Sequence, residues 1–123
     1  MKKFIITIVC MLFCAPLLSA QTLLSPNGNL KLSFQLTEKG TPTYALTFKD
    51  KTVISESALG FVINQKEDFN SNFEITEVQF AEANTVWQPV LGENKEIRDH
   101  HKEMFIRLTQ KNNGRQLYLR FRL

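Results

Sequence analysis

Cysteine stops early in this sequence. Cys10 and Cys14 are its only two, so everything from Ala15 onward has no disulfide, no thiolate nucleophile and no thiolate metal ligand. Histidine is almost as scarce: His100 and His101 are the whole supply. Adjacent residues of a strand point to opposite faces, so this pair does not chelate one zinc together. No G-x-S-x-G elbow, H-E-x-x-H helix, glycine-rich phosphate loop or EF-hand spacing occurs, which removes the usual signatures of elbow hydrolases, zincins, nucleotide enzymes and calcium hands. A dominant charge is missing too. Fifteen Lys and Arg stand against twelve Asp and Glu with no basic stripe, which leaves no footprint for a phosphate backbone and excludes nucleic acid as the expected partner. Finally, 123 residues leave no room for a catalytic (β/α)₈ barrel beside any other module.

What is present starts with a secretory signal. Lys2 and Lys3 precede an apolar run from Phe4 to Leu18, and Ser19-Ala20 supplies small residues before Gln21. The run is too short for a transmembrane helix, and Val9 and Phe13 before the cysteines are too large for a lipoprotein signal. A signal helix over 1–20 and one domain over 21–123 are expected, the chain being exported to the periplasm or beyond and free of the membrane after cleavage. Cleavage also removes both cysteines and two lysines, so most of the net +3 belongs to the signal. Hydrophobic residues make up 43% and charged residues 22% of the chain, and ten Phe promise a globular core.

The dominant period after Gln21 is two. Leu30, Leu32, Phe34 and Leu36 alternate with Lys31, Ser33 and Gln35, which predicts a half-buried strand between the turns Pro26–Asn29 and Glu38–Gly40. Tyr44, Leu46 and Phe48 form a second strand and Thr52–Ile54 a third. Ala58–Ile63 reads as a strand in which Gly60 marks a bulge or a close backbone contact, followed by a polar loop over Lys66–Asn72. Phe73–Phe80 is a strand with a phase break at Thr76-Glu77. Met104, Ile106 and Leu108 mark the next, and Asn112-Asn113-Gly114 turns it into Leu117–Leu123 as an antiparallel hairpin. The class expected is all-β, an antiparallel β-sandwich. Leu123 falls inside a strongly alternating strand, which fits either a terminal strand or a domain that continues beyond it.

Polar chemistry concentrates in Gly92–Glu103. Glu93, Glu96 and Glu103 could supply the two carboxyls that glycoside hydrolysis needs, or could be surface charges paired with Lys95, Arg98 and Lys102. Arg98 offers a planar fork suited to one of these carboxylates. Trp87 is expected in the core; an exposed Trp would instead be a stacking platform for a sugar.

Trp87-Gln88-Pro89-Val90-Leu91-Gly92-Glu93, continuing through Lys95-Glu96-Ile97-Arg98-Asp99-His100 to Glu103-Met104, resembles a stretch in the N-terminal domain of glycoside hydrolase family 97. Leu24–Leu30, Pro42-Thr43-Tyr44 and Ser57–Gly60 are similar to that domain's opening strands. His101 and Lys102 depart from the family's Tyr and Asn, which argues against a sugar contact from those two positions. The resemblance implies the opening part of a super-β-sandwich that packs on a (β/α)₈ barrel of the same polypeptide. It further implies an exported α-glycosidase acting on an α-linked oligosaccharide, an α-glucoside or α-galactoside, with calcium in its active site. The catalytic residues lie in or near that barrel, so none is assigned to this chain. The resemblance assigns Trp87, Glu93, Glu96, Arg98, His100 and Glu103 to interdomain packing or the rim of the substrate pocket, with no metal site here. The competing expectation is a stand-alone periplasmic carbohydrate-binding sandwich, with Trp87 and Tyr44 as platforms, or a structural β module.

Overall fold

The computed structural model describes residues 20–64, 67–93 and 95–123, so the expected signal helix lies outside the described residues. Among those residues are nine strands: β1 (Gln21–Leu24), β2 (Leu30–Leu36), β3 (Pro42–Phe48), β4 (Lys51–Ala58), β5 (Phe61–Asn64), β6 (Glu67–Phe69), β7 (Phe73–Trp87), β8 (Ile97–Gln110) and β9 (Gln116–Arg122). All pairings are antiparallel and give three sheets, in the orders β1-β2-β3-β4, β5-β6 and β7-β8-β9.

The period-two pattern explains how the two larger sheets meet. Leu32 and Phe34 project from β2, and Met104, Ile106 and Leu108 from β8, into one buried cluster with Leu23, Phe69 and Phe73. Phe121 of β9 bridges the layers, its ring centroid 5.9 Å from Phe34 and 6.2 Å from Tyr44. Tyr44 therefore packs against the sandwich interior and is no sugar platform. The hairpin at Asn112–Gly114 forms as expected, and β8 and β9 pair from Glu103↔Arg122 to Thr109↔Gln116. The phase break is real as well: the β7–β8 register shifts between Ile75 and Glu77.

Three local readings change. Lys51–Ala58 is one long edge strand rather than Thr52–Ile54 alone, and most of it is exposed. Ala58–Ile63 is not one strand; Gly60 separates β4 from β5, and a side chain there would run into Asn70. The stretch read as a loop contains β6, which pairs with β5 through Phe61↔Phe69.

One end of the sandwich is tied together by Gln110, which is 1% exposed. Its amide donates to the carbonyls of Asp68 and Ser71, each at 3.0 Å, and its carbonyl accepts from Asn113 Nδ2 at 2.9 Å. From that end β7 and β8 run the full length of the sandwich and continue past it. Toward the turn, beyond Lys102, β8 pairs only with β7 among the described residues, so the two form a projecting ribbon.

Candidate functional site

The ribbon carries most of the residues singled out in the sequence, and its register distributes them over two faces. Glu82↔Lys102, Asn84↔His100 and Val86↔Arg98 share one face, continuing the side that holds Met104 and Ile106. Ala81↔Glu103, Ala83↔His101, Thr85↔Asp99 and Trp87↔Ile97 share the other. His100 and His101 thus point to opposite sides, as adjacent strand residues must.

On the first face, Glu82 lies between His100 and Lys102. His100 Nε2 is 2.9 Å from Glu82 Oε1, and Lys102 Nζ is 3.8 Å from Glu82 Oε2. The hydrogen bond with His100 is the main reason the Glu82 carboxyl sits below its ordinary value of 4.5. Arg98 Nε donates to Asn84 Oδ1 at 2.9 Å. This corrects the expected pairing of Arg98 with Glu93, Glu96 or Glu103: cross-strand neighbours, not sequence neighbours, are within its reach.

The second face is organised around Glu103, whose side chain is only 12% exposed. Arg120 Nη2 donates to both of its oxygens, at 2.6 and 2.8 Å, while Arg122 Nε and Nη2 reach Oε1 at 2.7 and 2.6 Å. His101 lies beside it, with Nε2 3.2 Å from Glu103 and Nδ1 2.6 Å from Asp99. The hydrogen bond from Arg120, ahead of that from Arg122, holds the Glu103 carboxyl below 4.5 against the opposing effect of burial. Glu103 is therefore a strand clamp between β8 and β9, kept ionised, and unsuited to donate a proton.

A carboxyl whose pKa is lowered by folding stabilises the fold fully above its unfolded value and loses that contribution as pH falls through the folded value. Acid titration of the complete polypeptide should therefore show a constant thermal transition down to about pH 5 and a decline below 4.5, the ordinary value from which Glu82 and Glu103 are both lowered. Glu103→Gln should flatten that decline while lowering the transition at neutral pH. An acid limb of unchanged steepness in the variant would remove Glu103 from the account.

Trp87 is half exposed, at 52%, at the end of β7, which overturns its expected place in the core. The reason is position: the ribbon has left the sandwich before Trp87 is reached. Beyond it, Val90 and Leu91 are 98% and 91% exposed, and Glu93 and Glu96 lie on the same exposed turn. Glu96 and Glu103 are separated by seven residues of chain, roughly 20 Å along extended backbone, well outside the 5–10 Å that paired glycosidase carboxyls need. Glu103 therefore forms no acid–base pair with Glu96. Nor do these residues suit calcium, which takes six to eight oxygens: both oxygens of the most buried candidate, Glu103, are occupied by guanidinium groups. Sequence reasoning missed Glu82, Asn84, Arg120 and Arg122; the alternation of Arg120 and Arg122 with Leu119 and Phe121 was the available signal for the clamp.

The model of the family described as "Glycosyl-hydrolase 97 N-terminal" matches residues 23–123. Among solved structures, a glycoside hydrolase family 97 enzyme from Pseudoalteromonas sp. strain K8 superposes with a TM-score of 0.74 and 39% identity, both in complex with panose and in complex with acarbose. Each match covers 83% of this chain and 15% of that one. A beta-arabinopyranosidase shares the fold at 23% identity and a TM-score of 0.71, with 84% of this chain and 16% of that chain covered. The chain thus spans about 15% of the length of the enzymes it matches. With the fold, the ribbon and its late sequence stretch in agreement with a match over residues 23–123, the chain belongs to the N-terminal domain family of glycoside hydrolase family 97.

Proposed function

We propose that this chain is the non-catalytic N-terminal β-sandwich of an exported α-glycosidase, hydrolysing α-glucosides or α-galactosides, and that its β7–β8 ribbon docks on and rims the active site of a (β/α)₈ barrel. The observation that carries this reading is the ribbon's tip. Trp87, Val90 and Leu91 are held away from the sandwich with most of their surface open, an arrangement that costs hydration free energy unless another body covers it. Below the tip, the Glu82–His100 and Arg98–Asn84 contacts brace the two strands, so the tip is presented on a stiffened support. In this reading Trp87, Glu93, Glu96, Arg98 and His100 lie at or near the interface, while Glu103 acts from behind as the clamp. Residues 1–20 direct export, and calcium belongs to the catalytic domain.

The test is to place charge at the tip of the complete enzyme. Val90→Asp combined with Leu91→Asp should reduce α-glucoside and α-galactoside hydrolysis by about tenfold or more, because two uncompensated carboxylates would have to be buried. Both side chains are open in this chain, so the sandwich itself should fold unaltered. Wild-type turnover and thermal transition in that variant would return the tip to solvent and remove the docking role.

A further inference from the structure

The outer side of the β7-β8-β9 sheet, opposite the core residues Met104, Ile106 and Leu108, carries a cleft of about 140 Å³ lined by Glu77, Gln79, Phe105, Arg107 and Tyr118. Its position follows from register: Gln79 pairs with Phe105, and Glu77 with Arg107, which in turn pairs with Tyr118. All five side chains therefore stand on one face of three neighbouring strands. Phe105 is eight residues along β8 from Ile97, roughly 25 Å of strand, so the cleft is well removed from the ribbon's tip.

The cleft's polar side is already assembled. Glu77 Oε2 accepts from Arg107 Nη2 at 2.7 Å, and Glu77 Oε1 accepts from Gln79 Nε2. The Arg107 side chain as a whole stays 41% exposed, so the guanidinium borders the cleft, although its Nε is buried and has no hydrogen-bond partner among the described residues. The apolar side is equally fixed. Arg107 lies 5.5 Å from the centre of the Tyr118 ring and Arg120 lies 5.9 Å from that of Phe105, contacts that hold the rings in place, yet the two residues remain 55% and 41% exposed.

We infer that this cleft is a carbohydrate subsite that holds one pyranose unit of a larger glycan. The lining selects that chemistry by elimination. Carboxylate and guanidinium neutralise each other, so neither a cation nor an anion is favoured. What suits Glu77, Gln79 and Arg107 together is a neutral ligand with groups that both donate and accept, which is what vicinal hydroxyls do. Two fixed rings beside them suit the C–H face of a sugar ring. The choice of a glycan over another neutral polyol rests on the family reading above; the site's place and polarity do not.

Native electrophoresis of the complete polypeptide through gels containing a soluble α-glucan tests this, with α-glucoside hydrolysis of every variant measured alongside so that a loss at the cleft is told apart from a loss at the catalytic site. The wild type should be retarded. Tyr118→Ala and Phe105→Ala should each weaken the apparent affinity by about tenfold, the effect of losing one stacking ring. Tyr118→Phe, which keeps the ring, should retain most of it and controls for folding, as does an unchanged thermal transition in each variant. No retardation of the wild type, or equal retardation of wild type and both alanine variants, overturns the proposal. The docking reading is untouched by either result, because its own test reads hydrolysis at the ribbon's tip.

Discussion

Replacing Phe73 with alanine is expected to lower the unfolding free energy of the sandwich by about 3–5 kcal/mol, the range for emptying a fully buried aromatic site. Phe73 is 1% exposed and opens β7, where it pairs in register with the equally buried Gln110. Its ring meets the edge of Phe69 at 5.2 Å and an interplanar angle of 87°. The cavity left behind would lie next to a polar group that has no water to fall back on. Gln110 is satisfied only because Asp68, Ser71 and Asn113 stay within hydrogen-bonding distance, so relaxation into the cavity would stretch those bonds. Collapse of the site is therefore opposed, and the cost belongs at the upper end of the range. Chemical denaturation of the complete polypeptide reads it, provided the domain gives its own transition. A loss below about 1.5 kcal/mol would mean that the β5–β6 hairpin repacks freely, and the account of this end as a tied junction would fail.

The strands that line the sandwich were legible because each has one wet and one dry face. Leu32 and Phe34, then Met104, Ile106 and Leu108, and finally Leu117, Leu119, Phe121 and Leu123 recur at every second position, and the turns between them carry Asn and Gly where tight reversals need them. Legibility failed where that asymmetry fails. Arg98–Lys102 has polar or charged side chains on both faces because β8 pairs there only with β7 among the described residues, so its sequence looks like a solvated loop although it is strand. Trp87 misled for a related reason: a large aromatic ordinarily implies a core, and nothing in its neighbours records that β7 has already left the sandwich. β6 is three residues long, too short to show a period.

The candidate site divides in the same way. Residue types identified the ribbon as the chemically dense segment, and the late sequence stretch identified the family. Partners were beyond reach, since they depend on register between strands far apart in sequence. Arg98 finds Asn84 across fourteen residues, and Glu103 finds Arg120 across seventeen. The outer cleft was invisible altogether: Glu77, Gln79, Phe105, Arg107 and Tyr118 come from three strands, and no one segment contains a recognisable motif.

A single methyl group at Gly40 is expected to destabilise the sandwich by about 3–5 kcal/mol, combining backbone strain of roughly 1–2 with a backbone clash of the overpacking kind. Gly40 has φ +70°, and a Cβ there would lie 2.6 Å from both the nitrogen and the carbonyl oxygen of Phe73. Neither can withdraw easily. Phe73 N donates to Gly40 O at 3.0 Å, Asn72 N donates to Lys39 O at 2.9 Å, and Gly40 N donates to Thr37 O at 2.8 Å, so the turn after β2 is stitched to the start of β7 from both sides. Gly28 supplies the comparison, because it has nearly the same φ, +71°, but nothing within 4 Å of the position its Cβ would take. Gly28→Ala should therefore cost only the conformational part, about 1–2 kcal/mol. Denaturation midpoints of the two variants separate the contributions: a clearly larger loss for Gly40→Ala measures the close approach of the β2–β3 turn to β7, whereas equal losses would show that the turn moves aside and that this approach does not hold the two sheets in place.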